Sequence, residues 1–206
     1  MATVVSSPPV AAREDRLYRI SLDKYHQMAA HGILSERDRV VLLDGLLVTK
    51  MTRHPPHVTS ALRVFKALDG LDIGRWHVRK EDPISLPGGP TGADSEPEPD
   101  VTVVRGTIDD YADHHPGPAD IALVVEVASS SLAEDRAGLA RYAWAGIPVA
   151  WIVNLPERRV EVHTEPTGPD AQARYLEVAV YGPDGQVPVV INGREVGRLA
   201  VKNLLA

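Results

Sequence analysis

Two carboxylates in this chain stand where a carboxylate is costly. Asp100 follows Pro99 at the head of the apolar run 101–104, and Glu126 interrupts the Ile, Ala, Leu and Val of 121–127. A lone ionised carboxylate in an apolar strand needs a cation, a proton or a hydrogen-bond donor to compensate it, and a metal ion is one such compensation. If the two runs are neighbouring strands, the carboxylates meet. Hard cations such as Mg²⁺ and Mn²⁺ prefer oxygen ligands, and Mg²⁺ commonly takes only one or two protein carboxylates, with water and substrate phosphate completing its shell. Such an ion lowers the pKa of bound water and stabilises charge on a phosphodiester. Spacing alone leaves two plainer readings open: a turn at Pro99-Asp100, and a strand Glu that is half-exposed or paired with an Arg.

The elements that must position these residues are legible in outline. SLDKYHQMAAHG has Ser21 as N-cap and a stripe of Leu22, Tyr25 and Met28 or Ala29, which predicts a short helix stopping near Gly32. RVVLLDGLLVTKM is two apolar runs joined by Asp44-Gly45, the signature of a tight hairpin. PPHVTSALRVFKALDGL predicts an amphipathic helix with Val58, Leu62, Phe65 and Leu68 or Leu71 on its apolar stripe, ending near Gly70. WHVRKEDPISL reads as a strand, PGGPTGADSEPEP as a loop, DVTVV and the 121–127 run as strands, and about 132–145 as a helix. PVAWIVNL, RRVEVHTE, ARYLEVAVY and VPVVI are further strand candidates. This order predicts an α/β or α+β fold, a mixed β-sheet flanked by α-helices. Residues 1–17 read as a loose tail and 18–206 as one domain.

Composition narrows the chemistry. The chain has no Cys, which removes disulfides, thiolate zinc sites and a cysteine nucleophile, and fits a reducing cytoplasm. No run approaches the roughly 18 apolar residues of a membrane span, and no phosphate-binding glycine loop is present. The formal net charge is -6, which by itself argues against a general nucleic-acid binder. The charge is uneven, however: residues 50–80 hold seven cations against two acids, and residues 92–135 hold eleven acids against Arg105 alone. Two oppositely charged solvated faces are one reading. An acidic metal site beside a basic track for a phosphate backbone, with Arg63, Lys66 and Arg79 as DNA contacts, is the other.

Several phrases, in order, carry a resemblance: LLDGLLVTKMTRHPPHVTSALRV, WHVRKEDPISL, SEPEPDVTVVRG, DYADHHPGPADIALVVEVASSSLAEDR and YAWAGIPVAWIVN. From about Tyr18 to the C-terminus the chain resembles the Uma-type putative restriction endonucleases of the PD-(D/E)XK nuclease superfamily. The resemblance implies a restriction-endonuclease-like core and metal-dependent cleavage of DNA. It implies Mg²⁺ or Mn²⁺ held by Asp100, Glu126 and the backbone carbonyl of Val127, and His57 as a contact to metal water or phosphate.

The same resemblance exposes departures. The superfamily's lysine two residues after the strand Glu is Ala128 here. The lysine that the family places on the following helix falls on Gly138 counted from Tyr142, or on Leu139 counted from Asp135. A Glu expected in the hairpin is Val41. Lys80 and Lys50 are the lysines left to approach the carboxylates, with Lys80 the preferred catalytic candidate. Arg136 and Arg141 read as a solvated helix face, and His114 and His115 as loop residues pointing apart. A homodimer stays open. Two functions follow: a metal-dependent endodeoxyribonuclease, or a degenerate nuclease fold that keeps metal or DNA binding without efficient cleavage.

Overall fold

The computed structural model describes residues 17–129 and 132–206; the expected tail therefore lies almost wholly outside the described residues. Helix α1 (Leu22–Ala30) starts where Ser21 Oγ accepts a hydrogen bond from the Lys24 amide, the N-cap expected of a Ser at a helix start. Strands β1 (Val40–Leu43) and β2 (Leu46–Thr49) pair antiparallel. Their connection needs positive φ at both central residues, and Asp44 (50°) and Gly45 (74°) supply it.

Helix α2 (Pro55–Asp69) packs through part of the expected stripe and the row beside it, with Phe65 and, just past the helix, Leu71 against the same core as Leu68. Ser60, Ala61, Val64 and Leu68 are buried, whereas Val58 and Leu62 are each 42% exposed. Ala61 and Val64 sit in the apolar cluster under the helix and Ser60 bonds the Leu204 carbonyl, so the buried row is set by side-chain size and partners as much as by hydrophobicity. The strand expected over WHVRKEDPISL is confined to β3 (Trp76–Arg79). Glu81 then turns the chain at φ 58°, Pro83 lacks a ladder donor, and Leu86 makes only an isolated bridge to Ser95.

The remaining strands are β4 (Val101–Arg105), β5 (Ile121–Ala128), β6 (Val149–Asn154), β7 (Arg159–Pro166), β8 (Tyr175–Tyr181), β9 (Gln186–Ile191) and β10 (Arg194–Ala200). Helix α3 (Leu132–Trp144) joins β5 to β6, and α4 (Val201–Leu204) follows β10. Strands β3 to β8 form one six-stranded sheet in sequence order. Only β5 and β6 are parallel, because α3 is the one helical crossover among these strands. The fold is thus a mixed sheet flanked by helices. One apolar cluster lies between the sheet and α2, α4 and β9, and a second lies under α3. Strand β10 and α4 had no sequence assignment.

Candidate active site

The β4–β5 pairing sets Val101 opposite Val125, and one step further the same register brings Asp100 to Glu126. The Asp100 amide lies 3.4 Å from Glu126 Oε2, and the Val127 amide donates to Asp100 Oδ2 at 2.8 Å. The two carboxylates noted in the sequence therefore share one place, at the end of β4 where β5 continues. Val127 faces Asp100 with its N–H.

Each carboxylate is held by further groups. From the first turn of α2, His57 Nε2 approaches Asp100 Oδ2 at 3.1 Å, and from the β2–α2 connection an Arg53 nitrogen lies 3.5 Å from Asp100 Oδ1. The helix cap is His54, not His57; His57 Nδ1 is buried without a hydrogen-bond partner among the described residues. On the other side, the Tyr142 hydroxyl of α3 donates to Glu126 Oε1 at 2.6 Å. Burial and the Asp100 charge push the Glu126 carboxyl up to about 8, against the opposing pull of the Tyr142 hydrogen bond. Burial and Glu126 together push the Tyr142 phenol well above its ordinary range.

A cleft of about 500 Å³ opens over Glu126. Val41, Lys50, Arg53, Glu98, Gly138, Arg141 and Tyr142 are among the residues that line it. Val41 and Gly138 are two of the positions where an acid and a lysine were expected, and both face this space. Leu139 is buried under α3 at 5% exposure. Lys80 is engaged with Glu81, whose other oxygen pairs with Arg53 at 2.6 Å, so Lys80 is linked to Asp100 through two intervening side chains.

The structure corrects the picture of separate charged faces, because the basic and acidic segments pair with each other: Lys50 with Glu98 at 2.6 Å and Arg53 with Asp100. Of the expected DNA contacts, Arg63 bonds the Leu205 carbonyl and Arg79 pairs with Asp82 at 2.9 Å. Lys66 is exposed on α2, on the side away from His57 given 3.6 residues per turn. Arg136 is exposed, as expected of a solvated helix face, and Arg141 is half-buried, but both are paired. They reach across to Glu161 (2.6 Å) and Asp44 (2.7 Å), drawn by carboxylates of β7 and the β1–β2 turn. His114 pairs with Asp113, and His115 turns instead toward Glu96 and His26, so the two do point apart. Sequence reasoning missed Glu81 as part of the site: a non-glycine residue at positive φ carries no sequence signal. Arg53 was visible only as one cation among seven. Among the described residues, no three or more His, Asp or Glu side chains come together in a group that could hold a metal ion.

The fold is a mixed α/β sheet flanked by helices, with a carboxylate pair where β4 begins beside β5. The chain belongs to the Uma2 family, described as "Putative restriction endonuclease", whose model matches residues 22–199. A crystal structure of a putative nuclease belonging to DUF820 from Anabaena variabilis is similar in fold, with a TM-score of 0.63 at 15% identity, over 90% of this chain and 97% of that one. Comparison with curated proteins finds no match. No helix among the described residues is long and apolar enough to cross a membrane.

Proposed function

We propose that the protein is a metal-dependent endodeoxyribonuclease that hydrolyses DNA phosphodiester bonds in the cleft over Glu126. The observation that carries this reading is the meeting of Asp100 and Glu126, since the charge of one raises the pKa of the other and a divalent cation would relieve that repulsion. Asp100 and Glu126, with the Val127 carbonyl, would hold Mg²⁺ or Mn²⁺, an ion content with two protein carboxylates. When bound, the ion supplies Lewis acidity toward water and the phosphodiester. His57 orients Asp100, and the Tyr142 hydroxyl fixes the Glu126 carboxylate through Oε1.

A second reading is favoured by Val41 and Gly138, which leave the cleft without an acid on β1 and without an ammonium on α3. In that reading the protein binds metal or DNA and does not cut efficiently. Mn²⁺ titration calorimetry and plasmid cleavage on one preparation separate the two. Binding with cleavage that is lost in Asp100→Ala and Glu126→Ala supports the nuclease. Binding without cleavage supports the second reading, and unchanged Mn²⁺ affinity in the double variant removes the shared site from both.

A further inference from the structure

With the track expected from Arg63, Lys66 and Arg79 turned to the Leu205 carbonyl, to the outer face of α2 and to Asp82, the cations beside the carboxylate pair have to be sought in the cleft itself. Four line it: Arg39, Lys50, Arg53 and Arg141. Arg141 is held by two hydrogen bonds to Asp44, at 3.0 and 2.7 Å. Lys50 and Arg53 lie on one short connection, residues 50–54, between the end of β2 and the first turn of α2. Its start is pinned by the Lys50 amide, which donates to the Arg39 carbonyl at 2.7 Å, and its end by entry into α2 at Pro55-Pro56.

We propose that this Lys50-to-Arg53 segment is the phosphate-binding strap of the cleft, contacting successive phosphates of a nucleic-acid strand beside Glu126. Arg53 already reaches the carboxylate pair through Asp100, and Lys50 stands in the same cleft with its side chain 37% exposed. Three residues of chain span at most about 10 Å, so the two cations can engage more than one phosphate of a strand. Their present partners do not forbid this. The Lys50–Glu98 and Arg53–Glu81 pairs are part-exposed and weak enough to exchange for a phosphate; Arg53 meets the buried Asp100 through its other terminal nitrogen at 3.5 Å and can keep that contact. The guanidinium of Arg53 suits bidentate contact with phosphate oxygens, and the Lys50 ammonium acts as a point charge.

The inference rests on the nuclease reading for its substrate class, yet it is tested by binding alone. A fluorescently labelled DNA duplex is titrated with the protein at several salt concentrations without added divalent ion, and plasmid cleavage with Mn²⁺ is measured on the same preparations. Lys50→Gln should weaken binding several-fold and flatten the salt slope by about one unit. Arg53→Lys keeps a charge for Glu81 and Asp100, so it should fold; it should weaken binding while nearly keeping the slope. Full slope and affinity in both variants, with loss instead in Arg63→Gln/Lys66→Gln, overturns the strap; if the parent still cuts, the nuclease reading survives that result. A parent that binds through the strap and does not cut supports the strap and overturns cleavage. A parent that neither binds nor cuts overturns both.

Discussion

Burial in the cleft and the charge of Asp100 keep the Glu126 carboxyl protonated up to about pH 8, although its ordinary value is 4.5. Between those values the folded state holds a proton that the unfolded chain has released, so the stability contributed by this group falls as pH rises through that window. Metal-free protein should therefore show a urea midpoint that declines from about pH 4.5 to about pH 8, and Glu126→Gln should flatten the decline. A metal ion takes the ionised carboxylate, so Mn²⁺ binding should release a proton and tighten with pH until about pH 8. Calorimetry in buffers of different ionisation enthalpy reads that proton directly, and pH-independent affinity would take Glu126 out of the site. The Tyr142 hydroxyl opposes the upward shift. Tyr142→Phe should accordingly move the Mn²⁺ pH profile to higher pH, whereas a purely structural role would lower stability and leave the profile in place.

Helix α3 decides how much of the expected machinery can be restored. Gly138 lines the cleft, and a Cβ built there meets only an Arg141 nitrogen at 3.6 Å, ordinary contact distance. Gly138→Lys should increase plasmid cleavage over the parent. It should also stabilise the helix by up to about 1 kcal/mol, since Gly is a poor helix former. Leu139→Lys would place an ammonium under α3 and should cost at least about 2 kcal/mol by denaturant melting. If Gly138→Lys adds nothing to a parent that already cuts well, the cation comes from another element of the cleft. On α2 the apolar stripe was half right: Phe65, Leu68 and Leu71 do meet the core, whereas Val58 and Leu62 are left exposed and the smaller Ala61 and Val64 are buried in their stead.

At the level of the whole molecule, α4 ties the C-terminal region to α2. Ser60 and Arg63 bond the Leu204 and Leu205 carbonyls, and Leu204 is fully buried in the same apolar cluster as Leu123 and Trp151. Leu204→Ala should cost about 2–5 kcal/mol in urea unfolding and leave Mn²⁺ affinity unchanged, because it lies in the α2–α4 packing and not in the cleft. One domain over residues 18–206 predicts that far-UV and tryptophan signals follow a single transition; two separated transitions would divide the chain. The amino-acid sequence by itself determined the hairpin at Asp44-Gly45, the strand character of 101–104 and 121–127, and the two carboxylates attached to those strands, because turn chemistry and apolar runs are local properties. It could not determine that Arg53 and Glu81 gather at Asp100, that Lys50 crosses to Glu98, or that Arg63 turns to the Leu205 carbonyl. Those pairings join residues distant along the chain, and a charged side chain takes whichever partner the packed sheet and helices bring within a few ångströms, a choice made only once the tertiary structure has formed.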